Sequence, residues 1–241
     1  MIIWLASYPK SGNTWVRAII ASLLFTEDGK FNFEYLKRIP QFPQKRFFED
    51  IVNNLQEFEE IKKNWILAQN RINLTKSLKF LKTHNGNYTL DNFHFTNKVN
   101  TLGTIYIVRD PRNVLLSIKN HYDLNDQKAL DFILTSKKLV HKDKTRTLLG
   151  KWGDHYKSWT RNNSNLLIIK YENLINNPEY ELIKIIKYLE KNCRFETNEE
   201  KNKNIIKTTS FQNLKKMESE GKFKESVLSK ELNKVTFFNQ G

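Results

Sequence analysis

Cysteine is almost absent: Cys193 stands alone in 241 residues. That excludes an internal disulfide and a cysteine-rich metal site. A free thiol suits a reducing compartment. No Pro/Gly/Ser-rich linker and no internal repeat divides the chain, so the expectation is a single domain, residues 1–241, with a sizeable core. The apolar run that starts at Ile2 is cut at Pro9-Lys10, too early for a membrane span. A strand starting at residue 2 leaves no room for a signal peptide ahead of it, so a soluble cytoplasmic protein is expected. Aromatic residues are plentiful, with 16 Phe, 9 Tyr and 5 Trp, and an apolar fraction of 39% argues against disorder.

Acidic residues are outnumbered 26 to 40, which leaves a formal charge of +14. Such a balance suits nucleic acid, a membrane surface or an anionic substrate. The distribution narrows the choice. Between Lys184 and Lys234 the lysines alternate with Glu190, Glu196, Glu199, Glu200, Glu218, Glu220, Glu225 and Glu231. This is the pattern of a solvated face of mixed sign, and no specific nucleic-acid partner is expected. From Glu218 onward the chain is charged and sparse in apolar residues, which predicts loose packing there.

Four short apolar runs read as buried strands: Ile2–Tyr8, Leu78–Lys82, Gly103–Arg109 and Leu166–Tyr171. Helical patterns lie between them. They are Val16–Phe25, Glu34–Arg38, Arg46–Leu67, Arg112–Tyr122, Asp126–Val140, Leu148–Asn162, Pro178–Lys191 and Phe211–Glu220. The alternation predicts an α/β fold with a central, mostly parallel sheet flanked by helices. Ligands of such sheets bind beyond the carboxyl ends of the strands. Lys10, Thr83-His84, Asp110 and Tyr171-Glu172 all stand at such ends.

The first of these ends carries the strongest signal. Pro9-Lys10-Ser11-Gly12-Asn13-Thr14-Trp15 joins an apolar strand to a buried helix. The first N–H groups of a helix lack intrahelical partners, and its dipole adds positive potential. Gly12 lets the backbone approach a ligand, Lys10 adds a full charge, and Ser11 and Thr14 add hydroxyls. The plainer alternative is a turn that serves only as an N-cap. The nucleotide pattern G-x-x-x-x-G-K-[ST] is missing, because Lys10 precedes Gly12, which disfavours an ordinary kinase or NTPase.

Residues Tyr8 to Trp15 resemble the 5′-phosphosulfate loop of the cytosolic-type sulfotransferases, which use 3′-phosphoadenosine 5′-phosphosulfate (PAPS) and release adenosine 3′,5′-bisphosphate. Four further segments resemble that family in order. Lys82-Thr83-His84 resembles its K-T-H segment, which implies that His84 takes the acceptor's proton and Lys82 helps hold the sulfuryl group. A neutral imidazole suits that task near pH 7. The other four histidines, His94, His121, His141 and His155, are read as structural or surface residues. Arg109 and Ser117, eight residues apart in Val108–Ser117, resemble the 3′-phosphate pair. A structural ion pair of Arg109 with Asp110 or Asp154 is the alternative. Tyr171-Glu172-Asn173-Leu174 and Thr208-Thr209-Ser210-Phe211 resemble the Y-E-[DN]-L and T-S-F segments near the nucleotide, and Trp15 would stack on the adenine.

The resemblance implies a P-loop-like three-layer fold. It implies Lys10, Lys82 and His84 as the catalytic residues, with PAPS held by Lys10, Ser11, Gly12, Asn13, Thr14, Trp15, Arg109, Ser117, Tyr171, Thr209, Ser210 and Phe211. No metal ligand is expected, because a near-neutral sulfuryl group needs less charge neutralisation than a phosphoryl group. Lys10 and the loop N–H groups would stabilise the leaving phosphate oxygen. The acceptor would be a small molecule or carbohydrate with a hydroxyl or amine. Residues 31–70 and 123–150, which include Phe42, Phe47 and Phe48, with Tyr122 beside them, are expected to shape its pocket. The oligomeric state is not legible. The family continues with a basic, glycine-containing segment where this chain reads Phe237-Phe238-Asn239-Gln240-Gly241, so the last phosphate clamp is expected to be truncated. Two rival functions remain: a small-molecule kinase with an atypical loop, and a non-catalytic polyanion-binding module.

Overall fold

The apolar run at Ile2 becomes an inner strand. The computed structural model describes residues 1–135, 137–140, 145–161, 163–223 and 238. Its strands are β1 (Ile2–Ser7), β2 (Lys79–Thr83), β3 (Thr89–Leu90), β4 (Phe93–His94), β5 (Thr101–Val108), β6 (Lys137–Val140), β7 (Arg146–Gly150) and β8 (Leu166–Lys170). Four of them form a central parallel sheet in the order β2-β1-β5-β8, flanked by helices. β1 is buried at all positions, as a strand paired on both edges and covered on both faces must be. Its partners run parallel, with Trp4 opposite Leu81 on β2 and Thr104 on β5.

The helices are α1 (Asn13–Phe25), α2 (Phe58–Lys63), α3 (Trp65–Asn73), α4 (Pro111–Tyr122), α5 (Asp126–Leu134), α6 (Trp152–Thr160), α7 (Tyr171–Asn176), α8 (Pro178–Glu190), α9 (Glu199–Thr209) and α10 (Phe211–Ser219). The chain forms two compact units. Met1–Pro9, Ile39–Val108 and Phe132–Ile168 make the first; Lys10–Arg38, Arg109–Asp131 and Ile169–Gly241 make the second.

Trp4 centres the core of the first unit. Its ring lies 5.6 Å from Phe42, 5.3 Å from Phe95 and 6.1 Å from Trp159, and its Nε1 donates to Thr101 Oγ1. Truncating a buried aromatic of this kind costs about 3–5 kcal/mol. In the second unit α1 is buried from Asn13 to Leu23 and packs against α9 and the 3₁₀ turn Phe33–Arg38.

Three helix expectations are corrected. Arg46–Leu67 is not continuous: a 3₁₀ turn at Lys45–Phe47 is followed by irregular chain, then by α2 and α3. Asn54 accepts a bond from Gln56 N, and Glu60 takes Asn54 N, so side chains outcompete the helical ladder. Asp126–Val140 stops as a helix at Leu134, and Leu148–Asn162 starts as a strand. β6 and β7 pair antiparallel, and the backbone of Leu148 bonds Asn85 Oδ1 and Gly86 N. These long-range partners override local periodicity. α9 went unread because few of its residues are apolar, yet Asn198 caps it and Glu199 and Glu200 suit its dipole.

Phe223 lies 4.8 Å from Phe33, Phe238 lies 5.5 Å from Phe223, and buried Glu218 accepts from Phe238 N at 2.9 Å. Phe223 and Phe238 are thus anchored, and residues 224–237 of the segment expected to pack loosely lie outside the described residues. Phe237, Asn239, Gln240 and Gly241 lie outside the described residues, as does His141.

Candidate functional site

The second unit holds the loop. Lys10 and Gly12 both have left-handed backbones, at φ 65° and 93°. Gly12 has a second constraint: a Cβ there would stand 2.4 Å from Tyr171 Cδ2. Gly12 is also the N-cap of α1, with no side-chain cap and no acidic residue in the first turn. The N-cap residue, Gly12, has no side chain with which to close the first turn. The positive end of α1 faces the loop, as an anion site requires. The Ser11 hydroxyl is buried and has no hydrogen-bond partner among the described residues.

Arg109 follows β5 and closes over the same loop. Its Nη1 donates to the Lys10 carbonyl at 3.3 Å, and its guanidinium lies 4.1 Å over the Tyr171 ring. Its Nε is buried without a partner among the described residues. Asp110 is turned elsewhere: it caps α4 and pairs with Arg112, whose hydrogen bonds hold its carboxyl at about 2. The Arg109–Asp110 ion pair therefore does not form. Burial raises the Tyr171 phenol above its ordinary range, so it stays neutral beneath Arg109.

Tyr171 is edge-on to Trp15 at 5.8 Å, and Trp15 leans on Phe211 at 6.2 Å. Gly12, Trp15, Arg109, Tyr171 and Phe211 are thus brought together with the Lys10 backbone. Asn13 and Thr14 are buried in the first turn of α1. Ser117 is half-buried on α4. Thr209 and Ser210 serve helix ends: Thr209 Oγ1 donates to Ile205 O, and Ser210 Oγ caps α10. His121, on α4, is pushed down to about 4 by burial and by the charge of Lys10.

The first unit holds Lys82 and His84. Lys82 is half-buried on β2, opposite Leu5. His84 Nδ1 lies 2.7 Å from the Ser7 carbonyl and 3.3 Å from Ser7 Oγ. A carbonyl offers no hydrogen, so Nδ1 carries it. In the neutral ring Nε2 then keeps its lone pair. The chain past His84 is pinned by α6: His155 Nε2 meets the His84 carbonyl at 3.1 Å, and Trp159 Nε1 donates to the Asn85 carbonyl at 2.9 Å. His155 is completely buried and belongs to this cluster, which the sequence reading missed. Its signal was the His155–Trp159 spacing, which puts two ring donors on one helix face. His94, by contrast, is exposed on the small hairpin, bonded to Thr89.

Among the described residues no group of three or more His, Cys, Asp or Glu stands ready to hold a metal ion. No helix there is long and apolar enough to cross a membrane.

A family model described as the sulfotransferase domain matches residues 2–241. Sulfotransferase 1 family member D1 of Mus musculus is 28% identical, over 78% of this chain and 59% of its own length. Luciferin sulfotransferase of Photinus pyralis is 29% identical, over 88% of this chain and 56% of its own. The chain therefore spans less than two thirds of these relatives. A mouse sulfotransferase crystallised with PAP superimposes with a TM-score of 0.56 at 23% identity, covering 89% of this chain and 65% of that one, a likeness of fold.

Proposed function

The chain belongs to the sulfotransferase domain family, and from that premise we propose that it transfers a sulfuryl group from PAPS to a small-molecule acceptor bearing a hydroxyl or amine. Carbohydrate hydroxyls fall in the same acceptor class. The reading takes residues 1–241 as one sulfotransferase domain working in the cytoplasm, with no nucleic-acid partner. The donor, when bound, supplies a sulfuryl group on a phosphate leaving group.

The residues present fit such an anionic nucleotide. The buried Ser11 hydroxyl and Arg109 Nε need a partner, and the uncapped start of α1 favours negative charge. In this reading Arg109 and Ser117 hold the 3′-phosphate. Trp15, Tyr171 and Phe211 bracket the base, with Thr209 and Ser210 beside it. Lys10, with the N–H groups of the Ser11–Thr14 turn, steadies the negative charge that develops on the leaving oxygen. Lys82 orients the sulfuryl oxygens, and His84 Nε2 takes the acceptor's proton.

The observation that carries the reading is the His84–Ser7 bond, which leaves the basic nitrogen of a neutral imidazole at Nε2. A module that only bound polyanions would have no use for a fixed tautomer. Labelled PAPS with a panel of phenols, alcohols, amines and sugars tests it. His84→Ala should lower turnover about 10²–10⁴-fold while adenosine 3′,5′-bisphosphate binds as before. Full activity of that variant at neutral pH, or magnesium-dependent phosphate transfer from ATP, would refute it.

A further inference from the structure

The segment that leaves β2 gives its Gly86 N–H to the Leu148 carbonyl of β7, but the carbonyls of His84 and Asn85 ahead of it still need donors. One face of α6 supplies them. His155 and Trp159, four residues apart, direct ring N–H groups at the consecutive carbonyls of His84 and Asn85. The carbonyl fixes the proton of His155 on Nε2, so its Nδ1 is bare and accepts from the Tyr106 hydroxyl at 2.8 Å. Tyr106 lies on β5 opposite Ala6 of β1, and the next residue of β1, Ser7, holds the His84 ring. A circuit of bonds closes: Ser7 holds the imidazole of His84, and His155 holds its main chain.

We propose that His155, assisted by Trp159, positions His84 for proton transfer by clamping the consecutive main-chain carbonyls of His84 and Asn85. The inference rests on His84 being the base. His155 touches no reacting atom and is a positioning residue. Burial pushes its pKa down to about 4, so it remains a neutral, single-tautomer clamp at neutral pH. Tyr8 stands edge-on to its ring at 5.5 Å, which resists a flip. Without the clamp, rotation of the His84 peptide would swing the ring off the Ser7 carbonyl. A misplacement of about 1 Å costs about 10²-fold in rate.

The test uses the whole chain with PAPS and whichever acceptor the panel identifies. His155→Phe should lower kcat about 10–100-fold, change KM little and leave adenosine 3′,5′-bisphosphate affinity intact. His155→Gln, whose amide can still donate to the His84 carbonyl, should recover part of the loss. Nitrogen-15 spectra of histidine-labelled protein, recorded without substrate, should show His84 bare at Nε2 in the parent and a mixture of tautomers in His155→Phe. If His155→Phe does not fold, Tyr106→Phe removes a single hydroxyl from the circuit and should shift the His84 signals and kcat in the same direction. Unchanged kcat and unchanged His84 signals in either variant, with His84→Ala inactive, would overturn the clamp. Full activity of His84→Ala would instead overturn the base assignment, and the spectra would still report whether His155 holds the ring.

Discussion

Adding one methyl group at Gly12 tests the loop most directly. At φ 93° any L residue carries a left-handed penalty of about 1–2 kcal/mol. The new Cβ would also stand 2.4 Å from Tyr171 Cδ2 and 3.0 Å from Cε2. Ordinary carbon contacts sit near 3.5–4.0 Å, so the ring must retreat by about 1 Å. That retreat loosens the stack of Arg109, 4.1 Å over the ring, and the edge contact to Trp15 at 5.8 Å. Contacts of these two kinds contribute about 0.5–2 and 0.5–1.5 kcal/mol. Part of each is lost, so Gly12→Ala should destabilise the protein by about 2–4 kcal/mol in urea unfolding. Displacing Arg109 should also weaken adenosine 3′,5′-bisphosphate by about 10-fold or more in calorimetry, since a charge-assisted contact contributes about 1.5–3 kcal/mol. Gly153 is the control. It lies in α6, a Cβ there meets nothing within 4 Å, and Gly153→Ala should stabilise by about 0.5–1 kcal/mol. If Gly12→Ala matched the parent in stability and in bisphosphate affinity, the account of the loop would be wrong.

Arg109→Ala should weaken adenosine 3′,5′-bisphosphate about 10–100-fold and AMP far less, and Arg109→Lys should not rescue it, because the stack on Tyr171 needs a planar cation. Equal losses for both nucleotides would remove Arg109 from the 3′-phosphate. Stability should fall as pH drops from 6.5 towards 4. In that window the unfolded chain protonates His155 at its ordinary 6.5 while the folded chain, with its pKa near 4, does not. The difference amounts to about 3 kcal/mol at pH 4 and below, and it is absent above 6.5. Half-buried His121 adds to the slope with the same sign. Urea unfolding at several pH values should show a shallower slope for His155→Phe. An identical slope in the variant would exclude His155 as its source.

Local pattern was enough for what is locally determined. The run Ile2-Ile3-Trp4-Leu5-Ala6-Ser7 has nowhere to go but a strand buried on both faces, and Gly12 ahead of an apolar helix marks a turn between strand and helix. The helical patterns Arg112–Tyr122 and Pro178–Lys191 likewise match α4 and α8, which Asp110 and Asn177 cap. The motif residues Lys10, Lys82, His84, Arg109 and Tyr171 stand at strand ends or loop turns, where chain order alone locates them. Tertiary structure decided the rest through partners far away in the chain. Leu148 is a strand residue because Asn85, 63 positions earlier, takes its backbone N–H. Tyr171 forbids a side chain at Gly12 from 159 positions away. His155 looked like any helix histidine until its ring met the His84 carbonyl, 71 residues distant. Periodicity and propensity report what a segment prefers by itself. A buried carbonyl's need for a donor is met by whichever side chain the packed chain brings within about 3 Å, and no local pattern records which one that is.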